Sequence, residues 1–262
     1  MKIGYVQFNP VLGDPELNCS KLKELLSETD EADLVVLPEL ANSGYNFRSR
    51  GQAVALSETI SGSSFVEFIA EIAQMKNQYI VSGILERDGA KLFNTAFLAG
   101  PKGYMGKYRK LHLFWNEFDF FEKGNLGLPL FDIGHCRIGI LICFDWIFPE
   151  VWRILGLKRA GVICHPSNLV LPYAQQAVPV HAMMNRYFVI TANRYGTEGE
   201  VTFSGRSFIS DPFGQIIRMA PPETDEVGIQ EIDLRSAIEK NITPRNHLFQ
   251  DRRPDQYTEI II

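Results

Sequence analysis

Three short stretches carry side chains able to do chemistry: LVVLPEL at 34–40, GKYRKLHLF at 106–114 and LICFDWIFPE at 141–150. Each places its reactive group, Glu39, Lys110 or Cys143, just after a predicted strand. That is the strand edge where open α/β sheets gather ligands. A thiol attacks only as the thiolate, and a free cysteine is little ionised near neutral pH, so a nucleophilic cysteine needs a base or a nearby cation. Glu39 can be the base and Lys110 the cation. Taken singly, a strand cysteine reads as a small core hydrophobe, and the Glu and Lys read as a capping or solvated charge. Their joint placement at three strand ends favours nucleophilic catalysis.

The elements that must position these groups follow from periodicity. HCRIGILIC reads as a buried strand, while Pro149, Glu150 and the apolar Val151, Ile154, Leu155 and Leu157 start a helix, putting Cys143 on a strand-to-helix elbow. KIGYVQF predicts a first strand; Asp14 and Pro15 then cap a helix carrying Leu22, Leu25 and Leu26. Residues 33–37 form an apolar strand of the kind covered on both faces. Ser64 and Glu67 suggest a capping box for the next helix. Residues 79–85 and 91–98 predict an antiparallel pair turning at Asp88 and Gly89, and 111–128 an irregular aromatic-rich loop. GVICHPSNL predicts another buried strand, a helix follows Pro179 as far as Arg186, and segments 201–218 and 226–233 predict strands that close the sheet. Strands alternating with helices predict stacked sheets covered by helices.

Composition bounds the partners. The 262 residues are 45% hydrophobic and 22% charged, enough for a substantial core, and are read as one domain over 1–262. Residues 235–262 form a charged tail whose last residues, Ile260, Ile261 and Ile262, want a partner surface. Net charge is −5 with Lys and Arg scattered, so nucleic acid and anionic membrane are poor partners and a small molecule is the better one. No apolar run approaches the roughly 20 residues of a membrane span. Cys19, Cys136, Cys143 and Cys164 lack CxxC spacing, which argues against a disulfide framework or zinc site and for a reducing cytoplasm. The five histidines lack HExxH spacing, GRSFI lacks the second glycine of GxSxG, and GPKGYMG lacks the ending of a phosphate loop.

Taken together, VLPEL, YRKLHLF and ICFDWIFPE resemble the Glu, Lys and Cys motifs of the nitrilase superfamily, the carbon-nitrogen hydrolases. Order and separation agree, Glu39 preceding Lys110 by 71 residues and Lys110 preceding Cys143 by 33. The resemblance continues through HPSNLV at 165–170, NRYG at 193–196 and FSGRSFISDPFG at 203–214. It implies a four-layer αββα sandwich, a homodimer or larger homo-oligomer, and a second glutamate at Glu117. It also implies a cysteine-dependent hydrolase of non-peptide carbon-nitrogen bonds that needs no metal or organic cofactor. In that mechanism Glu39 takes the Cys143 proton as sulfur attacks an amide or nitrile carbon. Lys110 and the Phe144 N–H steady the developing anion, and Glu117 orients Lys110 or the attacking water.

An amidase releasing ammonia from a small linear amide is the favoured reading. A nitrilase, an N-carbamoyl amine amidohydrolase and a noncatalytic scaffold on the same fold are the alternatives. Phe114, Trp115, Phe118, Asn168 and Tyr173 are candidate pocket residues, with core packing the competing role for the aromatics. One departure stands out: where many relatives carry RAxEN, this chain has HAMMN, with His181 and Met184, and His181 is read as structural.

Overall fold

Near-continuous apolar strands need cover on both faces, and the chain meets that need by stacking two sheets. In the computed structural model, which describes residues 1–261, the first half supplies β1 (Lys2–Gln7), β2 (Leu34–Val36), β3 (Tyr79–Asp88), β4 (Lys91–Gly100) and β5 (Gly103–Arg109). The second half supplies β6 (Leu130–Asp132), β7 (Arg137–Ile140), β8 (Val162–Ser167) and β9 (Phe188–Asn193). Then come the hairpin β10 (Tyr195–Glu198) and β11 (Val201–Ser204), followed by β12 (Phe208–Ser210), β13 (Ile216–Met219) and β14 (Glu226–Glu231). One sheet runs β14-β1-β2-β3-β4-β5 and the other β13-β12-β9-β8-β7-β6. Each has a parallel centre, β1-β2-β3 and β7-β8-β9, flanked by antiparallel edges.

The strand period of two sorts side chains between layers. Ile3, Tyr5, Leu34, Val36 and Val81 point inward to meet Ile140, Cys164 and Ile190 of the facing sheet. Their neighbours Val6, Val35, Leu37 and Ile80 point outward, onto Leu22 and Leu25 of α1 (Pro15–Leu26) and, beyond the short α2 (Arg50–Leu56), onto Ile69 and Ile72 of α3 (Ser64–Lys76). The second sheet is covered by α4 (Pro149–Leu157) and α5 (Ala174–Asn185). The result is a four-layer αββα sandwich.

Three local expectations need correction. The cap of α3 is Ser63, whose Oγ accepts from Val66 N at 3.0 Å, and Glu58 takes the Ser63 and Ser64 hydroxyls in place of a Ser64–Glu67 box. Helix α5 starts at Ala174, with Pro179 inside it; burial of Ala174, Val178, Pro179 and Ala182 together outweighs the hydrogen bond that proline removes. The late strands do not close one sheet: β12 and β13 edge the second, whereas β14 crosses back to pair with β1 along Lys2–Gln7.

Beyond β14 the chain adds α6 (Arg235–Ile238), a small hairpin of β15 (Asn241–Thr243) and β16 (Asn246–His247), and 3-10 turns to Ile261. Lys240 ties this mostly exposed tail down by donating to the carbonyls of Asn185 and Arg186 at 3.0 and 2.6 Å. Ile262 lies outside the described residues. Among those residues no helix is long and apolar enough to cross a membrane.

Candidate active site

Glu39, Lys110 and Cys143 all lie just past strand ends, after β2, β5 and β7, and the stacking of the sheets brings them together with Glu117. All four are buried. The backbone supports this by unusual conformations: Leu40, Trp115 and Cys143 have φ of 49°, 48° and 44° without being glycine. Left-handed non-glycine residues are sparse, and finding them beside Glu39, beside Glu117 and at the thiol itself marks a constrained site. The Glu39 loop also passes so close to β3 that a Cβ on Gly83 would lie 2.4 Å from Leu40 N.

One ammonium serves two carboxylates. Lys110 Nζ donates to Glu39 Oε1 at 2.7 Å and to Glu117 Oε1 at 2.6 Å. Asn94 Nδ2 adds a bond to Glu39 Oε1 at 2.6 Å, while Glu39 Oε2 has no partner among the described residues. Glu117 also accepts from Tyr45 Oη at 2.9 Å and Phe114 N at 3.0 Å. Burial pulls the Lys110 ammonium down, but Glu117, Glu39 and Cys143 reverse this and hold it above its usual range. Burial lifts Glu117 to about 7 against the pull of Lys110. Burial and Glu39 push the Cys143 thiol well up, with Lys110 and the Asn168 N–H opposing them. The resting sulfur is therefore held as a thiol.

The cysteine elbow is held from behind. Asp145 Oδ2 accepts from Ile142 N at 2.9 Å and Tyr108 Oη at 2.8 Å, and Oδ1 contacts His112 Nδ1 at 2.7 Å. His165 sits 2.9 Å from the Cys143 carbonyl through Nε2 and 3.1 Å from Thr191 Oγ1 through Nδ1. Burial lowers its pKa to about 4, so the neutral ring donates through Nε2 and accepts through Nδ1. Phe144 is the second residue of a 3-10 turn over Cys143–Ile147, where a backbone N–H lacks a partner within the turn.

Residues 2–241 match the carbon-nitrogen hydrolase family. The chain belongs to the carbon-nitrogen hydrolases. It is 44% identical over 259 residues to a nitrilase of Pyrococcus abyssi, covering 98% of this chain and 99% of that one. It is 30% identical to an (R)-stereoselective amidase of a Pseudomonas species, covering 89% and 85%. The crystal structure of a carbon-nitrogen hydrolase from Helicobacter pylori superposes with a TM-score of 0.88 at 25% identity, covering 100% of this chain and 98% of that one.

In this carbon-nitrogen hydrolase the cavity at the thiol is walled by Phe114, Phe144, Trp146, Asn168, Leu169 and Val170. Trp115 and Phe118 instead line an adjoining open groove that they share with Phe114 and Phe144. Tyr173 lies outside both walls, because it precedes the first turn of α5; its ring stands 6.5 Å from that of Trp146. Asn168 does more than line the cavity: its Nδ2 donates to the Glu39 carbonyl at 3.0 Å. His181 is remote in role, its ring stacked on Trp152 at 4.9 Å and Nε2 bonded to the Trp146 carbonyl at 3.0 Å. Sequence reasoning missed Tyr45, Asn94 and Trp146. Asn94 carried a signal, as a lone amide in the apolar strand KLFNTAFLAG that had to find a buried partner. Tyr45 carried none, since its partner is 72 residues away. Among the described residues no group of three or more His, Cys, Asp or Glu is placed to hold a metal ion.

Proposed function

We propose that this carbon-nitrogen hydrolase is an amidase that releases ammonia from a small, uncharged linear amide through a thioester on Cys143. The observation that carries the reading is the bridging of Glu39 and Glu117 by Lys110 beside a buried thiol, with Glu39 Oε2 unpaired among the described residues. Glu39 takes the thiol proton as the sulfur-carbon bond forms, and the carbonyl oxygen turns toward the Lys110 ammonium and the Phe144 N–H as it gains charge. Collapse breaks the carbon-nitrogen bond, Glu39 returns the proton to nitrogen, and ammonia departs. A water then gives its proton to Glu39 and attacks the thioester, with Glu117 holding Lys110 in place. The acid leaves and the thiol regains its proton.

Among the described residues the small cavity at Cys143, of about 10 Å³, has no cation on its wall, which suits an uncharged acyl group next to the thiol, while Lys123 and His112 line the adjoining groove. A nitrile is the second reading, favoured by the name of the 44% identical relative. The four free cysteines fit work in a reducing cytoplasm. We further propose a homodimer, formed where α4, α5 and the tail after residue 234 present apolar side chains.

The test is ammonia release from aliphatic amides, the corresponding nitriles and ω-amides bearing a carboxylate, with intact-protein mass recorded under turnover. The expected result is release from uncharged amides, an acyl adduct on Cys143, and no release by Cys143→Ala at unchanged unfolding temperature. Turnover by Cys143→Ala would overturn covalent catalysis, and faster turnover of the charged ω-amides would overturn the substrate class.

A further inference from the structure

The NRYG stretch contributes a buried arginine that takes no direct part in the proposed chemistry. Arg194 is fully buried and pairs through Nη1 with Glu198 Oε1, while Nη2 donates to the Pro10 carbonyl at 3.0 Å. Its guanidinium lies 4.1 Å over the Phe203 ring. The other oxygen of Glu198 accepts two consecutive backbone N–H groups, from Tyr45 at 3.0 Å and Asn46 at 2.7 Å. Asn46 Nδ2 returns a bond to the Glu198 carbonyl at 2.8 Å. The segment from Glu39 to Tyr45 is thus pinned at one end by Asn168 and at the other by Glu198. At the Glu198 end the Tyr45 ring sits edge-on to Phe203 at 5.7 Å and aims its hydroxyl at Glu117.

We propose that the Arg194–Glu198 ion pair is a positioning device that sets the Tyr45 hydroxyl on Glu117, and through it the proton affinity of the second carboxylate. An ion pair buried this deeply is a poor source of stability, whereas a fixed pair holding two backbone donors gives a well-defined register. The titratable groups facing Glu117 are Lys110, Glu39, Cys143 and Tyr45. Burial and the nearby carboxylates keep the Tyr45 phenol protonated far above neutral pH, so it acts on Glu117 only as a donor. A donor to a carboxylate favours its ionised form, so Tyr45 opposes the upward push that burial gives Glu117. Withdrawing the hydroxyl therefore raises the pH at which Glu117 loses its proton.

The proposal rests on the placement of Glu117 in the working site, so its test should not depend on amide turnover alone. The pH dependence of Cys143 alkylation by iodoacetamide reads the site without a substrate; that of kcat and KM for any amide turned over reads it in action. Tyr45→Phe keeps the ring against Phe203 and should move the limb near neutrality up by about one pH unit and lower kcat about tenfold, with KM little changed. Glu198→Gln should reproduce both effects, and adding it to Tyr45→Phe should cost little more, since both act through one hydrogen bond. Should Glu198→Gln lose the fold, Arg194→Lys takes its place with the same expected direction. Alkylation profiles of Tyr45→Phe or Glu198→Gln that superimpose on the parent, or losses that multiply in the double variant, would overturn the proposal. Absent turnover with shifted alkylation profiles would instead overturn the amidase reading and leave the positioning role supported.

Discussion

At the residue scale the site is a problem of too much negative charge in too little water. Two carboxylates share one ammonium beside a thiol, so ionising the whole cluster leaves a net negative charge where desolvation is severe. Glu117 answers by holding its proton to about 7 instead of the ordinary 4.5. The consequence for stability has a definite sign. Between those two pH values the folded protein keeps a proton that the unfolded chain has released, so Glu117 stabilises the fold fully below 4.5 and loses that contribution as pH rises through 7. Glu117→Gln has no such proton to lose. Relative to the parent, its unfolding free energy should therefore improve by as much as about 3 kcal/mol from the acid side of this window to the alkaline side. Urea unfolding across the window measures it, and a stability gap that does not vary with pH would show that Glu117 does not titrate there. Its activity should fall most above about pH 7, where the parent Glu117 is ionised and an amide cannot offset the Lys110 charge as a carboxylate does.

At the element scale, what could be read from the chain and what could not divide along sequence distance. The longer strands, the elbow at Cys143 and the Asp14 and Pro15 start of α1 were legible because period, cap and turn residues lie within a few positions of one another, whereas the short β6 and β10 carried no such period. The start of α5 was not, because the proline rule is local whereas the burial that overrides it comes from α4 and the second sheet. The cap of α3 was missed by one residue for a similar reason, Glu58 reaching in from outside the helix. The residues gathered around Cys143 show the same split: Glu39, Lys110 and Cys143 stand out in their motifs, but Tyr45 and its supports emerge only where loops from distant strands meet. Gly83 is the point where two such elements touch. An added Cβ there would lie 2.6 Å from Glu39 Cα as well as against Leu40 N, and both are backbone atoms unable to swing aside. Gly83→Ala should destabilise the protein by about 1–3 kcal/mol and cut ammonia release at least about tenfold by displacing Glu39. Thermal unfolding and kcat check this together, and a variant with full activity and unchanged unfolding temperature would mean the Glu39 loop is not held by that contact.

At the scale of the whole molecule, one face gathers exposed apolar side chains. The outer layer over the second sheet leaves Ile154 of α4 and Val180, Met183 and Met184 of α5 exposed, and Ile260 of the tail lies near them on the wall of a cavity with Ile154 and Met184. An apolar surface gathered from two helices and a chain end is more than the scattered exposure normal on a monomer. Within it, Arg153 keeps a buried Nη1 with no partner among the described residues, facing Arg252 instead of an acid. A second copy would cover the apolar side chains and could bring an acceptor to Arg153. A two-fold interface suits this because one patch then serves both subunits. Met184 adds to the apolar character of this face. Sedimentation should therefore give twice the 29.7 kDa chain mass at micromolar concentration. Ile154→Arg combined with Met184→Arg should weaken association at least about a hundredfold by burying unpaired charge against charge. A parent protein that sediments as a monomer, or a double variant that dimerises as tightly as the parent, would remove this face as the interface.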